Sequence, residues 1–289
     1  MNTFIILHYQ VYKDTIECVN SIFDSIKRDD YNIVIVDNHS PNNSSLILQD
    51  KYKDNPKVTV LEQRKNLGFA KGNNVGCQYA FENYNPDFYI VINNDTIIED
   101  RMFVDQIQKI YKQTDFDMLG PCIWSINDRV DQNPVPNPTD SMKKSFKALI
   151  YNILLFVLNF INKDTLLIEY VDNKRKLKNK KRHTCIEEFE TNQAVKLHGA
   201  AIIFSKKYYL KYHNAFDPRT FMYGEEDILY SRVRRHELTA IYNPDLKILH
   251  KEDAASNSVI TSNQLRRRFK FKHSIWSSFV LLRIYIAKY

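Results

Sequence analysis

The chain lacks the cysteine pattern of a disulfide scaffold or a zinc site. Its four cysteines, Cys18, Cys77, Cys122 and Cys185, are scattered over 289 residues with no Cys-x-x-Cys pair, so reduced thiols in a cytosolic protein are expected. An uninterrupted apolar run of the ~20 residues that a spanning helix needs is also missing. Met1 runs into Phe4-Ile5-Ile6-Leu7 without a basic segment, and Tyr9, Gln10 and Lys13 follow at once. That is too short for a signal peptide and reads as a first strand. Neither a Gly-Lys-Ser/Thr phosphate loop nor the Gly-x-Gly-x-x-Gly spacing occurs. The formal charge of +7 favours anionic partners. No RNP-like aromatic pattern, zinc spacing or helix-turn-helix signature directs that charge to nucleic acid.

What is present begins as strand and helix in alternation. Phe4–His8 is a short apolar run, and Lys13–Ile26 carries Ile16, Val19, Ile22, Phe23 and Ile26 at helical spacing. Tyr31–Val36 is the next strand and ends in the polar run Asp37–Asn43. This is a βαβ pattern and predicts a parallel sheet. Lys57–Leu61 gives a third strand. Asn66-Leu67-Gly68-Phe69-Ala70-Lys71-Gly72-Asn73-Asn74-Val75-Gly76 then leads into a helix to about Tyr84. Its glycines, four apart, let backbone approach a ligand or a neighbouring strand, and the helix start attracts anions. A purely structural turn explains the run equally well. Phe88-Tyr89-Ile90-Val91-Ile92 stops abruptly at Asn93-Asn94-Asp95-Thr96. Such a strand sets a hard oxygen ligand at its carboxyl end, where open α/β sheets bind ligands. Asp37 falls on the same rim.

Arg101–Gln113 reads as an amphipathic helix and Met118–Trp124 as a strand. Asn127–Asp140, with Pro134, Pro136 and Pro138, is a loop that suits an acceptor groove or an ordinary surface excursion. In the apolar stretch Phe146–Ile161, Asn152 and Asn159 share one face with Ser145 and leave a wide apolar face. Burial against the core is slightly favoured there over a membrane interface. Lys174–Arg182 is a basic run, read as a solvated loop or an anionic-lipid contact. Ala194–Ser205 reads as two extended pieces about a Gly199-Ala200-Ala201 bend, whose small residues leave space for a substrate. Glu225, Glu226 and Asp227 open a helix through Arg235, a place where acids also serve the helix dipole. Leu246–Leu249 is a strand ending at His250. Arg266-Arg267-Arg268-Phe269-Lys270-Phe271-Lys272 leads into an apolar helix with Trp276 and Tyr285 near its ends, the pattern of a monotopic membrane helix.

Asp37, Asn94, Asp95, the three acids and His250 match the needs of sugar transfer from a nucleotide diphosphate. That reaction needs a metal for the departing diphosphate, a carboxylate for the acceptor proton, and a polar rim for base and ribose. With these neighbours and in this order, the sequence resembles the family 2 glycosyltransferases of the GT-A fold, particularly the rhamnosyltransferase-like bacterial members. The resemblance rests on Val34-Ile35-Val36-Asp37-Asn38-His39-Ser40, the run Asn66–Gly76, and Asn93-Asn94-Asp95-Thr96. Later in the chain it rests on Leu197-His198-Gly199-Ala200-Ala201, Tyr223-Gly224-Glu225-Glu226-Asp227, and His250 with Ser256. It implies an α/β, Rossmann-like, mostly parallel sheet flanked by helices. Residues 1–256 are then the catalytic domain, 127–190 an insertion in it, and 257–289 a basic amphipathic membrane-associating extension.

The same resemblance implies roles. Asp37 looks like the residue that contacts uracil or thymine and ribose, with Tyr9 and Asn66 nearby; Asn38, Gly68, Asn73, Asn94, Gly199 and Ala200 complete the implied donor site. Asn93-Asn94-Asp95 is similar to the family's Asp-x-Asp element with Asn in place of the first acid, which leaves Asp95 as principal ligand of Mn²⁺ or Mg²⁺. His250 resembles the later metal ligand. Arg232 matches an arginine on the helix after the family's Glu-Asp pair, which puts Glu225-Glu226 on that pair and makes Glu226 the base; a one-residue slip makes it Asp227. Proton affinity raised by neighbouring acids favours Glu226. The implied enzyme is an inverting hexosyl or deoxyhexosyl transferase. It takes a UDP- or dTDP-sugar to a glycan or lipid-linked acceptor for bacterial cell-surface polysaccharide, at an anionic membrane on the cytoplasmic side. The alternatives are a non-catalytic nucleotide-sugar or glycan binder of the same fold, or a basic nucleic-acid-binding protein. A sugar-phosphate nucleotidyltransferase is disfavoured, since no Gly-rich Thr-Arg loop follows the first strand. Oligomeric state is left open.

Overall fold

The computed structural model describes residues 1–179, 195–252 and 262–287, with the backbone alone for 175–179. Cys185, Ser256 and most of the 174–182 basic run therefore lie outside the described side chains. The chain forms β1 (Asn2–His8), α1 (Tyr12–Ser25), β2 (Tyr31–Asp37), α2 (Ser44–Tyr52), β3 (Val58–Glu62), α3 (Gly68–Asn83), β4 (Phe88–Asn93) and β5 (Thr96–Ile97). It continues with α4 (Phe103–Thr114), β6 (Met118–Ser125), α5 (Met142–Phe160), α6 (Asp164–Asn179), β7 (Ala201–Ser205), α7 (Lys206–Tyr212), α8 (Glu225–Arg235), β8 (Ala240–His250) and α9 (Asn263–Ile286).

One eight-stranded sheet runs in the order β3-β2-β1-β4-β7-β6-β8-β5. β3, β2, β1 and β4 are parallel, β7 runs against both β4 and β6, and β8 is parallel to β6. Buried parallel strands read as continuous apolar runs because both faces are covered. Here Phe4, Ile6, Ile33, Ile35 and Ile90 face α1, α2 and α4, whereas Ile5, Tyr89 and Val91 face α3, α7 and α8. Strand alternation thus feeds two cores at once. His8, Asp37, Asn93, Ser125 and His250 end their strands on one rim, together with the amino end of β7.

Several expectations shift. Of the two extended pieces about Gly199, only Ala201–Ser205 is a strand, and Ala194 lies outside the described residues. β8 begins at Ala240, because its register against β6 jumps from Asn243 to Lys247 and hides the early half behind a bulge. The glycines of α3 serve packing: a Cβ on Gly72 would meet Leu7 Cδ1 at 2.5 Å, and one on Gly76 would meet Ile5 Cγ2 at 2.5 Å.

Ser145, Asn152 and Asn159 do share one face of α5, but that face is the inward one, which overturns the favoured burial of the apolar side. The C-terminal segment forms one helix that packs on the body of the protein. α9 packs along α5, buries Phe271, Val280 and Leu281, and sets the last two against Ile228 of α8. Trp276 Nε1 donates to the Arg219 carbonyl (2.8 Å) and Tyr285 Oη to the Thr139 carbonyl (3.0 Å). No helix among the described residues is long and apolar enough to cross a membrane.

Candidate active site

β4 delivers Asn93, and the tight turn Asn94-Asp95 carries the chain into β5, whose Thr96 pairs with His250 of β8. This register sets Asp95 beside His250: Asp95 Oδ1 lies 3.3 Å from His250 Nε2, and both side chains are buried. Asp95 Oδ1 has no hydrogen-bond partner among the described residues. His250 Nδ1 meets Gln132 Oε1 at 2.7 Å. An amide oxygen only accepts, so Nδ1 carries a proton, and the Nε2 of a neutral ring turns its lone pair toward Asp95. Gln132 is held in turn by its own amide donating to Glu252. Among the described residues no group of three or more His, Cys, Asp or Glu is arranged to hold a metal. The pair of one bare carboxylate oxygen and one imidazole lone pair still fits a divalent ion that takes its remaining ligands from a bound diphosphate.

The irregular segment before β7 brings in the acid. The Asn93 amide donates to the Ala200 carbonyl (2.9 Å), which places residues 199–200 against the end of β4. Gly199 N–H donates to Glu226 Oε1 (2.8 Å). His198 lies between the two halves: its ring is 6.1 Å from that of His250. Its Nδ1 accepts from Ala200 N–H (3.1 Å), so Nε2 bears the proton. Burial lowers its pKa, against the pull of the Glu226 charge.

The three acids occupy three environments. Asp227 is committed at both oxygens, accepting from Thr139 N–H (2.8 Å) and pairing with Lys196 Nζ (3.0 Å). Glu225 is buried, with one carboxylate oxygen unpartnered, and burial pushes its pKa up to about 7. A raised proton affinity thus belongs to the acid next to the expected base. Glu226 accepts from Gly199 alone among the described residues and is partly exposed.

Across the rim, Asp37 is 1% exposed, with Oδ2 accepting from Ser40 N–H (3.1 Å) and Oδ1 without a hydrogen bond among the described residues, 3.8 Å from His8 Nε2. Beneath it His8 is fully buried, its two ring nitrogens on Thr15 Oγ1 (2.7 Å) and Ser44 Oγ (2.8 Å), and burial lowers its pKa to about 4. Asn94 Nδ2 reaches the same Thr15 hydroxyl (3.2 Å), so a polar chain joins the ends of β1 and β4 to the start of α2. Asn38 ties the loop before α3. Its amide donates to Asn66 Oδ1 (3.1 Å) and the Gly68 carbonyl (3.2 Å), and its oxygen accepts from Leu67 N–H (2.8 Å). Asn73 is buried with Oδ1 unpartnered. Tyr9 follows β1 directly on this rim. Sequence reasoning passed over Gln132 and His198. The second lay inside a quoted motif, and the first sat in a proline-rich loop with no local signal.

An open sheet whose carboxyl rim carries these acids, amides and imidazoles matches solved glycosyltransferases in fold. TarS residues 1–349 from S. aureus in complex with UDP-GlcNAc aligns at TM-score 0.54 and 12% identity, covering 99% of this chain and 72% of that one. The mannosyltransferase PcManGT from Pyrobaculum calidifontis, in complex with GDP-Man and Mn2+, aligns at 0.55 and 11%, covering 99% and 75%. No curated protein matches significantly. The model of glycosyl transferase family 2 matches residues 3–176, and the chain belongs to that family and is a glycosyltransferase.

Proposed function

We propose that this glycosyltransferase moves a sugar, with inversion, from a UDP- or dTDP-sugar to a glycan or lipid-linked acceptor in bacterial cell-surface polysaccharide synthesis. The observation that carries the reading is the buried Asp95 Oδ1, without a hydrogen bond among the described residues, 3.3 Å from Nε2 of His250. That pair would hold a divalent ion, Mn²⁺ or Mg²⁺, whose charge would neutralise the departing diphosphate. Glu226 takes the proton of the acceptor hydroxyl as its oxygen attacks the anomeric carbon. Asp37 receives the base and ribose, with Tyr9, Asn38, Asn66, Gly68, Asn73 and Asn94 shaping that end, and Gly199 and Ala200 leave room for the sugar. The motif order, similar to that of rhamnosyltransferase-like members, keeps deoxyhexosyl and hexosyl donors together in the reading. The complexes of the similar structures with UDP-GlcNAc and with GDP-Man and Mn2+ support a nucleoside diphosphate sugar as donor.

In this reading residues 1–256 carry catalysis with 127–190 inserted, and 257–289 helps hold the enzyme at the anionic inner face of the cell membrane. The test is a thermal-shift and donor-hydrolysis screen of UDP-, dTDP- and GDP-sugars with Mn²⁺. Stabilisation and hydrolysis by one uridine or thymidine donor, both abolished by chelator, is the expected result. Donor binding without turnover under any metal would sink it in favour of a binding protein.

A further inference from the structure

α5 turns Ser145, Asn159 and a single apolar side chain, Leu155, into full burial. Surface helices bury an apolar stripe and expose polar residues, but here the amides face the protein. Asn152 Nδ2 donates to Ser278 Oγ of α9 (3.1 Å), and Asn159 Nδ2 donates to Asp164 Oδ2 (3.1 Å) and the Gln264 carbonyl (3.2 Å). Arg268 Nε closes the network on Asn159 Oδ1 (2.9 Å). On the opposite side Phe146, Ile150, Ile153, Leu154, Val157 and Phe160 are each 41–58% exposed. Their spacing keeps them on one stripe, about 20 Å long at ~1.5 Å per residue. A contiguous apolar surface of that kind marks an interaction site.

The charge around the stripe selects its occupant. Residues 141–163 contain Lys143, Lys144, Lys147 and Lys163 and no acid, with Lys144 paired to Asp140 just outside. Both ends of the stripe are therefore basic, and a self-paired α5 would set lysine against lysine in either direction. An apolar face rimmed by lysines suits anionic headgroups over acyl chains. α5 cannot span a membrane, so it lies in the interface plane.

We propose that the outward face of α5 docks the enzyme on an anionic lipid bilayer. The inference deepens the peripheral placement given above and rests on it, while leaving the sugar chemistry aside. α5 packs along α9, whose Val280 and Leu281 hold Ile228 of α8, and α8 begins one residue before Glu226. Docking through α5 thus fixes the height of the proposed base above the headgroups, as an acceptor carried in the membrane requires.

The experiment is flotation of the full chain with phosphatidylcholine vesicles, alone or mixed equally with phosphatidylglycerol. The wild type is expected to float with the anionic vesicles. Ile153→Ser with Val157→Ser should lose about tenfold or more of that partitioning, and Lys143→Glu with Lys147→Glu should lose the preference for phosphatidylglycerol, with unchanged thermal melts. Transfer to a soluble acceptor should be unaffected. Undiminished flotation of the Ile153/Val157 variant overturns the α5 face and leaves the peripheral placement standing; absence of wild-type flotation overturns both. A wild-type dimer without vesicles that the same serines dissociate assigns the face to a second copy and overturns the proposal.

Discussion

Gln132 accepts from Nδ1 of His250 and so aims Nε2 of that ring at Asp95 Oδ1, 3.3 Å away. The Gln132 amide therefore belongs to the metal reading although it is not itself a proposed ligand. Loss of such an outer partner costs about 10–100-fold in metal affinity. Gln132→Ala should raise the Mn²⁺ concentration for half-maximal donor binding by ~10-fold or more, while Asp95→Ala should abolish metal-dependent donor binding altogether. Calorimetric titration of Mn²⁺ with donor present checks both. Metal-dependent activity retained by His250→Ala would remove His250 from the site.

Glu226 and Asp227 are separated by what already holds them. Asp227 spends one oxygen on Thr139 N–H and the other on Lys196, whose side chain is only 9% exposed, so its loss is expected to read as stability. Asp227→Asn leaves Lys196 with an uncompensated charge, at a cost of at most about 3 kcal/mol because the pair is partly exposed. Glu226→Gln should lower kcat by about 10²–10⁴ with donor binding intact. Melting curves and single-turnover rates separate the two; a folded, inactive Asp227→Asn beside an active Glu226→Gln would reverse the assignment.

Much of the rim was legible because its signals are local. β4 is a continuous apolar run broken by amides and a carboxylate, and the same grammar ends β2 at Asp37 and β8 at His250. The rest required the third dimension. The period of α5 defines two faces without saying which one meets the protein, since the deciding partners, Ser278, Gln264 and Arg268, lie more than a hundred residues away. α2 was missed because Leu46, Ile47 and Leu48 are consecutive and only Leu48 of the three is buried. Three acids in one turn look alike in sequence; Lys196 and Gly199, on another segment, tell two of them apart.

Glu225 makes stability depend on pH. Its carboxyl is pushed from 4.5 to about 7 by burial, with the neighbouring Glu226 charge adding. Between those values the folded chain holds a proton that the unfolded chain has released. The contribution is fully present below about 4.5 and is lost as pH rises through 7, by up to ~1.4 kcal/mol per unit. Glu225→Gln lacks this loss, so its melting temperature should gain on the wild type between about pH 5 and about pH 8. A difference that stays flat across that range would mean that Glu225 is ionised in the folded protein.

Gly68 is the hinge at which α3 meets the segment leading to the acids. Its φ is +78°, and a Cβ there would lie 2.1 Å from the Phe221 carbonyl oxygen, the same oxygen that accepts from Phe69 N–H (2.7 Å). Backbone cannot rotate away as a side chain can. Gly68→Ala therefore combines a left-handed penalty of about 1–2 kcal/mol with displacement of residue 221, four positions before Glu225. Gly72→Ala meets the Leu7 side chain, closest at Cδ1, its flexible far end, and also gains helix propensity of roughly 1 kcal/mol. Urea denaturation should show Gly68→Ala the more destabilised of the two by at least ~1 kcal/mol, and its kcat should fall because Glu226 moves with the 221 segment. Equal stability with unaltered kcat would mean that the 221 segment yields without carrying α8 with it.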